Sequence, residues 1–202
     1  AASDVYKRQI QKAINKASNG DEILVLEGTY PENPIVNKSL WIHGHNYPII
    51  DGGGSGDIVT IESSNVTFAN FIIQNTSAGS HAVRVESVSY NNTISRNTIQ
   101  NCEGFGILVD GSIGNNLIIG NDISVKQSGL FLLLSPSNEI RDNNLHNNGE
   151  YGIFLESSGN NTLTNNLMTN NKYNFGLECD SLPEFNQNID NSNMVDGKPI
   201  YY

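Results

Sequence analysis

The sequence predicts an all-β fold, a right-handed, single-stranded parallel β-helix (a solenoid) with an N-terminal capping helix. Three observations predict it. A motif of asparagines and aliphatic residues, seen first as NNTISRNTIQN at 91–101, recurs along the chain. Its copies lie 22 to 26 residues apart, which is typical of solenoid repeats. Within each copy, apolar residues alternate with polar ones at the period of a β-strand.

The first predicted element is a helix over residues 5–18, where apolar side chains fall on one helical face. A solenoid needs its terminal turn covered, and an amphipathic helix does this. Residues 1–8 begin without clear structural logic and are expected to include a cloning or sequencing scar. The turns of the β-helix then occupy residues 21–202, so residues 1–202 are expected to form a single domain.

The repeats align on one apolar position and on a second apolar position five residues later. The first column is Ile94, Ile118, Ile140, Leu163 and Ile189, and the second is Ile99, Ile123, Leu145, Met168 and Met194. Each repeat holds a further strand, such as GILV at 106–109 or GIFL at 152–155. About seven turns, stacked at a strand spacing of about 4.8 Å, would form a rod about 35 Å long.

A fixed asparagine between the two apolar columns predicts an internal amide ladder. Its members are Asn97, Asn121, Asn143 and Asn166. A sharp turn favours asparagine, which tolerates left-handed backbone, and stacked amides can donate to one neighbour and accept from the other. Phe71 is expected to end the ladder on one side and Ser192 on the other, with Asn116 on the surface. The alternative is that these asparagines are solvated loop residues.

Composition excludes some partners. The formal net charge of −10 repels phosphate backbones, so nucleic acid is not an expected partner. An anionic polysaccharide would be repelled too unless a cation bridged the two. No apolar run approaches the length of a membrane span. Cys102 and Cys179 are predicted about three turns apart, too far for a disulfide, and are interpreted as structural thiols.

Acidic residues recur directly after the further strand of each repeat. Beside them runs a column of outward-facing positions that includes aromatic residues. The predicted sugar-contact residues are Glu62, Arg84, Glu86, Asp110, Phe131, Phe154 and Glu156. Stacked carboxylates repel one another, which raises a pKa or recruits a cation. The alternative is that the acids only increase solubility and that the two phenylalanines pack under a loop.

No metal site, cofactor or catalytic set is predicted. His43 and His45 share a strand but lack a third ligand nearby, and calcium is expected only as a bridge between carboxylates.

Glycosylation sequons begin at five asparagines, although chance explains most of them in a chain with 31 asparagines among 202 residues. They matter only if the protein is exported. The sequons begin at Asn37, Asn65, Asn75, Asn91 and Asn160.

Three passages resemble a known superfamily. Residues 10–44 resemble the N-terminal cap and first turn of pectin-lyase-like proteins, and the repeats at 91–101 and 160–178 resemble the NosD-like and CASH (carbohydrate-binding and sugar-hydrolase) class of β-helix repeats. The close NMVDGKPIYY at 193–202 is similar to the end of this domain in archaeal surface proteins. The resemblance covers about residues 9–202 and implies the fold much more specifically than the activity.

The resemblance implies an extracellular, cell-surface or periplasmic protein with further domains in its parent chain. The motifs of pectin methylesterases, polygalacturonases and pectate lyases are not found. The first hypothesis is therefore a non-catalytic module that binds polysaccharide or acts as a scaffold or adhesin. The second is a polysaccharide lyase, glycoside hydrolase or epimerase, which would use Glu62, Glu86 and Asp110 with Arg84 and His81. The third, implied by the NosD-like resemblance, is a copper-centre maturation factor.

Overall fold

The computed structural model describes residues 9–202. It begins with helix α1 (Ile10–Lys16), which is shorter than the helix expected over residues 5–18, and residues 5–8 lie outside the described part. Ile10 and Ile14 of α1 are buried against the first turn of the solenoid. The α1 helix therefore covers the apolar core at this end.

Side chains from the first turn form hydrogen bonds with the unpaired backbone groups at both ends of α1. The carboxylate of Glu32 accepts the backbone N–H groups of Ile10 at 2.7 Å and Gln11 at 3.0 Å. At the other end, the Lys38 ammonium donates to the carbonyls of Ile14, Asn15 and Ala17. An anion at the N-terminus and a cation at the C-terminus complement the helix dipole and fix α1 on the solenoid.

Twenty-four short strands follow, numbered along the chain and arranged in three sheets. Sheet A contains β1 (Glu22–Val25), β4 (Trp41–Gly44), β7 (Thr67–Ala69), β10 (Thr93–Ser95), β13 (Leu117–Ile119), β16 (Glu139–Arg141), β19 (Thr162–Thr164) and β22 (Asn188–Ile189). Sheet B contains β2 (Thr29–Tyr30), β5 (Ile49–Asp51), β8 (Ile72–Gln74), β11 (Thr98–Gln100), β14 (Asp122–Ser124), β17 (Asn144–His146), β20 (Leu167–Thr169), β23 (Met194–Val195) and β24 (Lys198–Pro199). Sheet C contains β3 (Ile35–Val36), β6 (Val59–Ile61), β9 (Val83–Val85), β12 (Ile107–Asp110), β15 (Leu130–Leu133), β18 (Tyr151–Glu156) and β21 (Tyr173–Glu178).

Each of the first seven turns contributes one strand to each sheet in order, and the last contributes to sheets A and B, so the fold is a parallel β-solenoid. Sheet A has eight strands, which makes about eight turns rather than the seven expected. All strand pairs are parallel except the last, in which β24 folds back antiparallel on β23. The predicted all-β solenoid is thereby confirmed, with one short helix near the N-terminus.

The core consists of stacked columns of aliphatic side chains. In sheet A, Ile94 pairs with Ile118, which pairs with Ile140, and all three are fully buried. Ile99 and Ile123 stack in the same way in sheet B. Because strand side chains alternate between the two faces, one side of every strand adds to this continuous core. The two apolar columns predicted from the repeats are these core columns.

Paired asparagines at the turns divide two roles between them. Asn165 has a φ of 55° and lies in the left-handed region, where asparagine is tolerated better than most residues. The next residue, Asn166, is fully buried and points its amide inward. Arg96, Gly120 and Asp142 hold the left-handed position before the other predicted ladder residues. The ladder asparagines therefore do not themselves make the left-handed bend.

The predicted ladder is present. Asn121 donates through Nδ2 to Oδ1 of Asn143 at 3.0 Å, and Asn143 donates in turn to Asn166 at 3.0 Å. Asn97 donates to Asn121 at 3.2 Å, and the backbone N–H of Phe71 donates to Asn97 at the first end. The prediction that these asparagines form an inward ladder is confirmed.

The far end of the ladder corrects two predictions. Asn193, not Ser192, accepts the amide of Asn166, at 2.8 Å. Val195, not Met194, pairs with the buried Met168. The cause is one extra residue in the last turn, where the ladder residue follows the aligned apolar position by four residues instead of three. Ser192 is displaced out of the buried ladder to a partly exposed position.

A second ladder was not predicted. Asn116 was expected on the surface, but it is 1% exposed, and its Nδ2 donates to Oδ1 of Asn138 at 2.8 Å. Asn138 donates to Asn161, whose backbone N–H then donates to Gln187. This ladder follows sheet C, and Asn148 and Asn171 begin a third one after sheet B. The prediction for Asn116 is wrong because its left-handed neighbour, Asn115, occupies the exposed position instead.

Candidate functional site

The outer face of sheet C carries the residues predicted to contact sugar. One outward column runs through Arg84, Leu108, Phe131, Phe154 and Gly176 in strand register. A second column, two residues later in each strand, is Asp110, Leu133, Glu156 and Glu178, with Glu62 and Glu86 just past β6 and β9. We call this surface the sheet C face.

Arg84 is the centre of an acidic cluster on the sheet C face. Its Nη2 donates to Oδ2 of Asp110 at 2.8 Å, and its Nη1 lies 3.7 Å from Oδ2 of Asp57. The Nε lies 3.2 Å from Oε1 of Glu86, although this contact lacks hydrogen-bond geometry. Three carboxylates around one guanidinium leave a local surplus of negative charge.

Asp57 is the member of this cluster that sequence reasoning missed. It lies in the corner before β6, outside both outward columns. Its Oδ1 accepts the backbone N–H of His81 at 2.6 Å, so the carboxylate fixes the chain as it enters β9. The only sequence signal was a polar residue two positions before a strand, and its position near Arg84 depends on packing between turns.

His81 lies beside the cluster in a partly buried site that disfavours its charged form. Burial lowers the pKa of His81 below its ordinary value of 6.5; the charge of Asp57 opposes this shift, while that of Arg84 adds to it. The Nδ1 atom accepts the backbone N–H of Phe105 at 3.4 Å. Because Nδ1 is an acceptor, the ring proton belongs on Nε2.

Aromatic rings continue from His81 along the sheet C face. His81 stacks on Phe105 at 4.9 Å, and Phe105 meets Phe131 edge to face at 4.9 Å. Phe131 then contacts Phe154 at a centroid distance of 5.2 Å, and Phe154 stacks on Tyr151 at 4.5 Å. The row therefore extends the charged cluster across several turns of the solenoid.

The exposed part of this row differs from the one expected. Phe131 is only 9% exposed because neighbouring rings cover it, whereas Tyr173, whose ring is tilted against that of Tyr151 at a centroid distance of 5.0 Å, is 51% exposed. Phe154 keeps partial exposure. Gly176 makes room for these rings, since a Cβ there would lie 2.4 Å from Cε1 of Tyr151. The accessible aromatic surface is formed by Tyr151, Phe154 and Tyr173.

Glu62 and Glu156 lie on the sheet C face but apart from the cluster. Among the described residues, the ion pairs of Arg84 are those with Asp57, Glu86 and Asp110. Glu156 pairs in strand register with Glu178, and these two carboxylates extend the acidic edge beside Phe154. The structure thus brings Arg84, Glu86 and Asp110 of the predicted set together and leaves Glu62 and Glu156 outside this cluster.

The histidines considered as metal ligands do not converge. His43 contacts Glu22, with 2.6 Å between Nε2 and Oε1, and stacks on Trp41 at 4.7 Å. His45 lies just beyond the end of β4. Across residues 9–202, no three His, Cys, Asp or Glu side chains form a group that could hold a metal ion.

The two cysteines are free, as the sequence predicted. Burial raises the pKa of the Cys102 thiol, and it also raises that of Cys179, where nearby Glu184 adds to the shift. A raised pKa keeps a thiol protonated and weakly reactive near neutral pH.

Stacked turns and internal asparagine ladders define this protein as a parallel β-solenoid, and sheet C gives it a polar, aromatic outer face. A family model described as "Right handed beta helix region" matches residues 35–194, and the chain belongs to this family. The narrower NosD-like and CASH assignments stay predictions. No helix among residues 9–202 is long and apolar enough to cross a membrane.

A curated relative resembles half of the chain. It is a cell surface glycoprotein of the archaeon Methanothermus fervidus, 38% identical over 96 residues. The match covers 46% of this chain and 16% of the glycoprotein. The chain therefore corresponds to a small part of that protein's length.

Solved structures share the fold at low sequence identity. A pectin methylesterase in complex with a hexasaccharide superposes with a TM-score of 0.64 and 12% identity, covering 96% of this chain and 86% of that one. The Dettilon tailspike protein gives a TM-score of 0.60 and 12% identity, over 90% of this chain and 44% of the tailspike. At this identity, the likeness establishes the fold alone.

Proposed function

We propose that this chain is an extracellular β-helix module that binds a polysaccharide or glycan on the sheet C face without cleaving it. One observation carries the proposal: the partly exposed ring of Phe154 and the exposed ring of Tyr173 lie on the same face as the carboxylates around Arg84. Aromatic faces suit the C–H faces of sugar rings, and carboxylates accept hydrogen bonds from sugar hydroxyls.

The charge of this face favours neutral glycans. Asp57, Glu86 and Asp110 outnumber the guanidinium of Arg84 that they surround, and Glu156 and Glu178 add negative charge along the same edge. An anionic glycan would need calcium between its own carboxylates and those of the protein. Binding of a neutral glycan is therefore expected to be the same in calcium and in chelator.

The state of Arg84 and His81 supports binding rather than catalysis. Carboxylates surround the guanidinium of Arg84, so it is not available to a substrate carboxylate. The Nδ1 of His81 is already an acceptor for Phe105. A polysaccharide lyase, glycoside hydrolase or epimerase remains the alternative, and analysis of the glycan after incubation with the protein tests it. A role in copper-centre assembly would need ligands beyond His43 and His45.

The extracellular location is supported by the relative that matches the chain, because that relative is a cell surface glycoprotein. Its much greater length supports a further proposal, that this module belongs to a longer surface protein with other domains. A rigid solenoid would then hold the sheet C face away from its neighbours and double as a scaffold.

A glycan array with two alanine variants tests the binding face. Phe154→Ala and Tyr173→Ala should each weaken binding by about 1 kcal/mol, which is about fivefold in affinity, if the rings stack on sugar. Trp41→Ala is the matched control, because Trp41 is an equally exposed aromatic residue (50%) on sheet A. It should leave binding unchanged.

The bound glycan should also be recovered intact after long incubation. Release of shortened or unsaturated products would overturn the non-catalytic proposal in favour of an enzyme. If the parent protein is folded and binds no glycan on the array, the proposal of carbohydrate binding is overturned. The scaffold role would then be the remaining account of the repeats.

A further inference from the structure

The corner between sheets C and A repeats one exposed position on successive turns. Each of these residues adopts a left-handed backbone, and each directly precedes a buried residue of the solenoid wall. The φ angles are between 56° and 60°. The residues are Asn65, Asn91, Asn115, Ser137 and Asn160, and we call this row the C–A corner.

Three residues of the C–A corner begin a glycosylation sequon. Asn65, Asn91 and Asn160 are each followed two residues later by a threonine, and each threonine starts a strand of sheet A. At the same register, Leu117 replaces the threonine after Asn115. An exposed Asn-x-Thr in a surface turn is the acceptor arrangement for N-linked glycans.

The side-chain amides of the three sequon asparagines differ in their hydrogen bonds along the C–A corner. Asn91 donates its Nδ2 to Oδ1 of Asn65 at 2.7 Å, and Asn186 donates its Nδ2 to Oδ1 of Asn160 at 3.0 Å. The carbonyl oxygens of Asn65 and Asn160 are thus anchored by the next turn. The amide nitrogen of Asn91, by contrast, is occupied.

We propose that Asn65 and Asn160 are N-glycosylated and that Asn91 is not modified while Asn65 is intact. The amide orientation favours the first two nitrogens. In addition, Asn65 and Asn91 lie on adjacent turns, about 4.8 Å apart, so two glycans there would collide. Asn75 is set apart because its Nδ2 donates to Asp51 at 2.8 Å.

The reaction requires an oligosaccharide activated on a phosphate. The Nδ2 atom bonds to the anomeric carbon of the sugar, and the bond from that carbon to the phosphate oxygen breaks. The departing phosphate keeps the electron pair of the broken bond. The proton lost from Nδ2 passes to that phosphate, directly or through solvent. The modification rests on the extracellular location proposed above but not on glycan binding by the sheet C face.

The test is expression with export in an archaeal host that glycosylates a co-expressed reporter protein. Glycopeptide mass spectrometry should find sugar on Asn65 and Asn160 and little on Asn91. In Asn65→Gly, which tolerates the left-handed backbone, occupancy of Asn91 should rise severalfold because its amide loses its acceptor and its crowded neighbour. Loss of glycan binding elsewhere would not affect this result.

A gain-of-site variant provides the matched comparison. Leu117→Thr creates a sequon at Asn115, whose exposed, left-handed position is equivalent to that of Asn65, and should add a glycan there. Leu117→Val creates none and should not. The proposal is overturned if the reporter is glycosylated while Asn65, Asn160 and the new site are all bare, or if Asn91 is modified as fully as Asn65.

Discussion

At the residue scale, the asparagines explain how a polar chain can build a solenoid. In a pair such as Asn165 and Asn166, the first provides the left-handed bend and the second joins an internal ladder. A buried amide without a partner costs free energy, so stacking satisfies each ladder residue through its neighbours. Both roles depend on the small, polar side chain of asparagine, which accounts for its abundance.

Removing one ladder amide should therefore destabilise the fold. Asn121→Ala leaves Nδ2 of Asn97 and Oδ1 of Asn143 without their ladder partner and should cost about 1–3 kcal/mol in chemical denaturation. Asn116→Ala should cost a similar amount, since Asn116 belongs to the second ladder. Asn188 is exposed and serves as the control, with an expected cost under about 0.5 kcal/mol for its alanine variant. Equal effects at Asn121 and Asn188 would refute a stabilising ladder.

The left-handed position can be tested separately at Gly120, where φ is 65°. Gly120→Asn introduces the residue found at this position two turns away, at Asn165, and should change the free energy of unfolding by less than about 0.5 kcal/mol. Gly120→Ala should cost about 1 kcal/mol, because alanine lacks the local hydrogen bonding that eases this backbone. Denaturant midpoints that rank alanine above asparagine would contradict this account.

At the element scale, sheet C differs from sheets A and B in what its outer face carries. Its strands β12 and β15 bury an outward residue as well as their inward ones, because Leu108 and Phe131 are covered by neighbouring side chains. The Arg84 cluster and the aromatic row are therefore packed into the sheet. This packing brings His81 into a partly buried site beside charged groups.

The stability of this region should depend on pH through His81. Because its folded-state pKa lies below 6.5, the unfolded chain binds the proton more readily. Its contribution to stability is present above about pH 6.5 and is lost as pH falls toward the lower folded-state pKa. Thermal melts from pH 8 to pH 5 should show a weaker pH dependence in His81→Asn, whose side-chain oxygen can accept from Phe105.

The control for this experiment is His45→Asn, since His45 is exposed at a corner of the solenoid. It should follow the parent protein at every pH. An unchanged pH dependence in His81→Asn would show that His81 does not contribute to the acid response.

At the scale of the whole molecule, stability is expected to accumulate turn by turn. Each strand pairs with the strand one turn away in the same sheet, so the contacts are mostly between neighbouring turns. Leu117 pairs with Glu139, so residues 117–138 form one complete turn between equivalent positions. Such a turn should be removable as a unit.

Deleting residues 117–138 should give a shorter folded solenoid. Asn116 would then precede Glu139, and the first and second ladders would lose Asn121 and Asn138 without losing register. The expected loss is about 1–3 kcal/mol for 22 residues, with an unchanged circular dichroism spectrum per residue. Deleting residues 117–135 shifts the register and should prevent cooperative unfolding. If both deletions behave alike, the stacked register does not hold the fold together.

The sequence by itself determined the solenoid, its core columns and the ladder from Asn97 to Asn166. These follow from two periods, the alternation within a strand and the length of a turn, and both are local properties of the chain. The same periods placed Arg84, Phe131 and Phe154 in one outward column.

Only the tertiary structure decided which of these residues are accessible and what they contact. Asp57 reaches Arg84 across turns, Phe131 is covered by its neighbours, and one extra residue replaces Ser192 with Asn193 in the ladder. Side-chain reach and ring packing between turns are not periodic, so a repeat pattern does not encode them. A periodic sequence fixes where a residue stands along the wall, whereas exposure depends on the particular side chains stacked beside it.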